Sequence, residues 1–142
     1  MKNTLFTLAA LLVCHIATAQ EATKPLALHP ENPHYFQFRG KPAVLIGSTE
    51  HYGAVMNLDF DYVPYLDELA RHGLNQTRTF SGTYREVPNS FGITDNTLSP
   101  IHYVGPWSSP DGKKFDLTQY DAKYFERLKD FVTQAGERGV VV

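Results

Sequence analysis

The sequence predicts an α/β chain built as an incomplete (β/α)8 barrel: an N-terminal hairpin, then the first three parallel strands with two helices between them. Three observations predict it. Apolar or β-branched runs at 43–46, 74–80 and 140–142 alternate with amphipathic helical stretches at 59–73 and 121–139. Such alternation gives a parallel sheet with helices packed outside it. Polar and aromatic residues gather just after the strands, at 48–52 and 78–86, where barrel enzymes place their sites. The chain also lacks G-x-G-x-x-G, G-x-x-x-x-G-K and G-x-S-x-G. The alternative is an open doubly wound sheet, which usually carries a Gly-rich phosphate turn after its first strand, so the barrel is preferred.

Residues 1–19 read as a signal peptide. Lys2 supplies a basic start, Leu5 to Ile16 an apolar run, and Ala17-Thr18-Ala19 a small-x-small cleavage pattern. The run is shorter than the roughly 20 apolar residues of a membrane span. Cleavage after Ala19 is expected, with export to a secreted or periplasmic location and no membrane association afterwards. A lipoprotein signal using Cys14 ranks second, because Val13 stands where such a signal wants a small residue; an uncleaved anchor ranks third. Cys14 is the only cysteine. The mature chain is therefore expected to have no disulfide, no thiolate metal site and no Cys nucleophile, and its core must hold the fold.

Residues 20–34 read as an extended leader, with Pro25, Pro30 and Pro33 and no helical period. A hairpin follows. Phe36 and Phe38 alternate with polar residues, Arg39-Gly40-Lys41 marks the turn, and Ala43 to Ile46 forms an arm apolar enough to be buried on both faces. In the first helix Asp59 or Asp61 caps the start, and Pro64 falls in the first turn. Tyr62, Leu66, Leu69 and Ala70 share a face, and Gly73 ends it. "LNQTRTF" (74–80) is the second strand. A loop spans 81–117, longer than connections usually run in compact domains and therefore a candidate for function. Thr118 with Asp121 resembles a capping box. It opens a helix with a stripe at Phe125, Leu128, Val132 and Ala135, closed by Gly139, and Val140 to Val142 begins the third strand.

The formal net charge of −2, with Lys and Arg scattered, leaves no electrostatic footprint for nucleic acid or an anionic membrane. Aromatic residues make up 13% of the chain, which suits a large core or a surface on which flat ligands stack. No H-E-x-x-H occurs, and the adjacent pair Glu50-His51 has poor ligand spacing, so no metal site is expected.

Three stretches carry a family resemblance: "NPHYFQFRGKPAVLIGSTEHYG", "YLDELARHGLNQTRTF" and "KFDLTQYDAKYFERLKDFVTQAGERGVVV". They resemble the opening of the cellulase-like (β/α)8 glycoside hydrolases, the clan that uses two glutamates on one barrel. Residues 35–142 would then be the N-terminal portion of such a domain. The resemblance implies hydrolysis of O-glycosidic bonds in a poly- or oligosaccharide by two carboxyl groups, a carbohydrate partner and no cofactor. In such proteins the glutamates follow the fourth and seventh strands. No catalytic residue is thus expected in this chain, which reads as the front part of a longer protein, inactive alone. A non-catalytic carbohydrate-binding module or pseudoenzyme is the alternative.

Five residues are candidates for holding substrate. By resemblance, Arg78 matches the arginine that hydrogen-bonds the nucleophilic carboxylate, where a fixed cation lowers the carboxyl pKa. Glu50 and His51 follow the first strand and suit sugar hydroxyls. Trp107 and Tyr84, with Tyr103 nearby, lie in or near the long loop and offer planes for the apolar C–H faces of sugar rings. Glu50 and Glu86 as an acid–base pair of their own are ranked below these, since nothing nearby raises the pKa of either.

Overall fold

Arg39 and Gly40 both take positive φ, 52° and 74°, as the two-residue turn of a right-twisted hairpin requires. They join β2 (Phe36–Phe38) to β3 (Lys41–Ala43), with Phe38 opposite Lys41. The Arg39 guanidinium sits 4.9 Å from the Phe38 ring centroid. Leader residues Ala27–Leu28 add β1 on the other side of β2, giving a three-stranded antiparallel sheet in the order β1-β2-β3. The computed structural model describes residues 24–48, 53–80, 92 and 102–142. It divides into one unit reaching to Leu45, which holds this sheet, and a second from Ile46 to Val142.

The second unit is organised by helices. A one-turn helix α1 (Gly53–Met56) buries Ala54, Val55 and Met56. Helix α2 (Tyr62–Arg71) is capped by Asp61, whose carboxylate accepts the Val63 N–H at 3.0 Å, with Pro64 tolerated in the first turn. At its other end the N–H groups of Gly73 and Leu74 return to the carbonyls of Ala70 and Leu69, at 3.0 and 2.9 Å. This closure needs a left-handed residue, and Gly73 has φ 70°. Helix α3 (Ala122–Glu137) closes in the same way: Gly139 and Val140 donate to Gly136 and Ala135.

Tyr62, Leu66 and Leu69 of α2 meet Tyr124, Phe131 and Ala135 of α3 in one core with α1, Val104 and Val140. Tyr62 and Phe131 pack edge to face, centroids 5.3 Å apart. Leu66 and Phe131 are fully buried, each stabilising the fold by about 1.5–3 kcal/mol. The inward stripe of α3 is Tyr124, Phe131 and Ala135, with Leu128 partly buried beside them, rather than the expected 125, 128, 132 and 135. Phe125 and Val132 are exposed, and Phe125 packs instead against Tyr120 and Tyr124. Ala70 also faces solvent. Both stripes are helical in period, and the position of Tyr62 selects between them.

The incomplete (β/α)8 barrel does not form. The strands make two antiparallel sheets, of three and two strands. The segments expected as parallel strands meet at isolated parallel bridges, Gly47 with Gln76 and Gln76 with Val141, with backbone bonds from Asn75 to Ile46, Thr77 to Val141 and Val141 to Asn75 at 2.8, 2.8 and 2.9 Å, and they do not extend into strands. Parallel sheets are stable when both faces are covered, yet Val44 and Ile46 are 57% and 55% exposed. The Ile46 N–H, moreover, bonds to the Asn75 side-chain oxygen at 2.7 Å rather than to a backbone carbonyl of a ladder. The second hairpin arm is correspondingly Lys41–Ala43 and not Ala43 to Ile46.

Candidate functional site

The second half of the expected 81–117 loop is a hairpin. Ser109-Pro110-Asp111-Gly112 is a tight turn, with the Gly112 N–H donating to the Ser109 carbonyl at 3.1 Å. Pro at its second position and Gly at its fourth suit that geometry. The Asp111 carboxylate accepts the N–H groups of Lys113 and Lys114 at 2.9 and 3.1 Å, and these bonds hold its carboxyl below the usual range. Ser109 Oγ donates to the Lys114 carbonyl at 2.8 Å. The turn joins β4 (Trp107–Ser108) to β5 (Asp116–Tyr120), which pair antiparallel with Trp107 opposite Tyr120 and a register shift at Trp107/Ser108. Asp116 takes up that irregularity by accepting the hydroxyl and N–H of Thr118, at 2.6 and 2.9 Å, which lowers its pKa. Thr118 is therefore a strand residue and not part of a capping box. Asp121 caps α3 alone, accepting the Lys123 N–H at 2.9 Å.

Between this hairpin, the Tyr103–Gly105 segment before it and the start of α3 lies a cavity of about 240 Å³. Tyr103, Trp107 and Phe115 supply its aromatic walls, and Ser109 and Asp121 its polar groups. Tyr103 and Phe115 stand edge to face at 6.5 Å. Gly105 makes room for Tyr103: a Cβ there would lie 2.9 Å from the phenolic oxygen and 3.2 Å from the ring. The segment carrying Tyr103 is fixed by backbone bonds from Leu58 to His102 and from Val104 to Met56, each 2.9 Å. His102 Nδ1 pairs with Asp59 at 2.7 Å on the exposed side. Asp121 lines the cavity, and its Oδ1 accepts the Lys123 N–H at 2.9 Å. The site thus offers flat apolar faces, the hydroxyl-bearing residues Ser109 and Tyr103, and the Asp121 carboxyl group.

Of the residues singled out from sequence, Trp107 and the nearby Tyr103 line this cavity. Arg78 is not among its lining residues. It is exposed, with its guanidinium 5.8 Å from the Phe80 ring centroid, and among the described residues no carboxylate contacts it. Its neighbour Thr77 points inward; the Thr77 hydroxyl lies 2.6 Å from Tyr65 Oη, which also donates to the Ser48 carbonyl at 2.9 Å. Glu50, His51 and Tyr84 lie outside the described residues. Sequence reasoning missed Phe115 and Asp121 as partners of Trp107. The Pro110-Asp111-Gly112 turn, flanked by Trp107 and Phe115, was the available signal.

Among the described residues no group of three or more His, Cys, Asp or Glu side chains is placed to hold a metal ion, and no helix is long and apolar enough to cross a membrane. The chain matches no family model, no curated protein and no solved structure.

Proposed function

We propose that the chain belongs to an exported glycoside hydrolase acting on O-glycosidic bonds of a poly- or oligosaccharide, and that the Trp107 cavity is a sugar-holding part of it. The observation that carries this reading is the meeting of three aromatic rings with a hydroxyl and a carboxylate in one open-mouthed cavity. A sugar ring has apolar C–H faces and a polar hydroxyl edge, and this combination complements both. The family resemblance of the sequence points to the same substrate class, and the signal-like first 19 residues support export.

A binding role without chemistry is the second reading, and one observation favours it. Among the described residues the cavity is lined by one carboxyl group, Asp121, where glycoside hydrolysis needs two.

Trp107 is the single tryptophan, so its emission reports on this cavity alone. Gluco-, manno-, galacto- and xylo-oligosaccharides are expected to shift or quench that emission. Calorimetry is expected to show that Trp107→Ala weakens binding about ten-fold, the loss of roughly 1–1.5 kcal/mol of ring contact. Release of reducing ends separates hydrolysis from binding. A panel that neither moves the emission nor produces heat overturns both readings.

A further inference from the structure

We propose that Asp121 makes the Trp107 cavity a filter of charge, admitting uncharged and cationic sugar units and refusing anionic ones such as uronates. The inference rests on the sugar reading of the cavity and goes beyond it by naming the class of unit.

The geometry carries the argument. Asp121 is the one charged side chain among the described residues that line the cavity. Its position is rigid. Its N–H donates to the Pro106 carbonyl at 3.0 Å, and its Oδ1 is held by the Lys123 N–H at 2.9 Å. Both bonds belong to the start of a 16-residue helix packed into the core. A carboxylate keeps lone pairs beyond the one that the Lys123 N–H engages, so Asp121, as a lining residue, can still accept a hydroxyl or an ammonium. A carboxylate brought onto the same walls meets a fixed negative charge at close range, partly shielded from water by Tyr103, Trp107 and Phe115. The positive end of α3 would ordinarily draw an anion to this place. With Asp121 as the cap that attraction is already answered by the protein's own carboxylate.

The test uses the full chain and the Trp107 emission. Matched oligosaccharides of gluco, manno and galacto configuration are compared in three forms: neutral, oxidised to the 6-carboxylate, and carrying a 2-amino group. The neutral and amino forms are expected to bind, and the carboxylate form to bind about ten-fold more weakly or worse. Asp121→Asn keeps a good cap for α3 while removing the charge. It is expected to erase the discrimination and to favour the carboxylate form through the unanswered helix end; circular dichroism checks that α3 persists. If sugars bind but neutral and carboxylate forms bind alike in the unaltered chain, the filter is refuted and the sugar reading stands. If no form of any sugar moves the emission, both fall. The comparison in the unaltered chain decides the matter even where Asp121→Asn fails to fold.

Discussion

The guanidinium of Arg127 lies 4.8 Å from the centroid of the Tyr62 ring, and its N–H groups donate to the carbonyls of Ala54, Asn57 and Phe60 at 3.1, 3.0 and 2.6 Å. One side chain of α3 therefore stacks on α2 and satisfies carbonyls of α1 and of the segment joining α1 to α2. Arg127→Ala takes a donor away from three partly buried carbonyls and removes a cation–π contact. A loss of about 2–4 kcal/mol is expected in urea unfolding. Arg127→Lys should recover less than half, since an ammonium cannot reach three carbonyls in a planar fork. An Arg127→Ala midpoint equal to that of the unaltered chain would show that the clamp carries no stability.

Tyr62 gives the fold an alkaline limit. Burial, then its hydrogen bond to the Asp130 carboxylate, pushes the phenol up to about 12 from 10. Below pH 10 the phenol is neutral in both folded and unfolded chains, and its stabilising effect is fully present. Above pH 10 the unfolded chain ionises first, so stability falls as pH rises from 10 through 12, by roughly 2 kcal/mol. Burial raises Tyr124 as well, which adds loss in the same direction. Tyr62→Phe retains the ring against Phe131 and Arg127 and should flatten part of the decline in melting temperature across that range. An unaltered decline would assign it to other groups.

Gly47 lies against the backbone of Gln76, where a Cβ would stand 2.4 Å from the Gln76 carbonyl oxygen. Backbone cannot move aside as a side-chain tip can. Gly47→Ala should cost about 1–3 kcal/mol by forcing the bridge apart, and faster amide exchange at Asn75 and Thr77 should locate the damage. Unchanged exchange at those two amides would mean that the bridge tolerates a methyl group.

Gly105 presents the opposite case. Its virtual Cβ meets the end of the Tyr103 side chain, which can swing away. Gly105→Ala is therefore expected to leave stability within about 1 kcal/mol while displacing the Tyr103 ring from the cavity. The sugar response of Trp107 should weaken several-fold. A variant with normal binding would remove Tyr103 from the ligand-holding walls.

Local signals in the chain were informative where the physics is local. Asp61, one of the two caps the sequence offered, starts α2 because a carboxylate on an extended residue finds free N–H groups just after it; at α3 the same physics acts through Asp121 in place of the expected Thr118. Gly73 and Gly139 close those helices because positive φ is cheap without a Cβ. Arg39-Gly40 turns the first hairpin for a related reason. The stripe on α2 read almost correctly, since Tyr62, Leu66 and Leu69 are the residues that face inward. On α3 two stripes of equal period were available, and packing against Tyr62 chose the one containing Tyr124 and Phe131. The 107–120 hairpin was missed because its strands are short and its register shifts at Trp107/Ser108, so alternation had no length over which to show.

Helix ends, turn positions and the inward face of α2 thus follow from a few neighbouring residues acting on their own backbone. The pairing of segments far apart in the chain does not. Whether 43–46, 74–80 and 140–142 join as a parallel sheet depends on cover for both faces and on which group takes each N–H. Here Val44 and Ile46 stand exposed and the Asn75 side chain takes the N–H of Ile46. The meeting of Trp107 with Tyr103, Phe115 and Asp121 is of the same non-local kind. It arises from a hairpin, a helix cap and the glycine that lets a ring approach, brought together by folding over 19 residues from Tyr103 to Asp121.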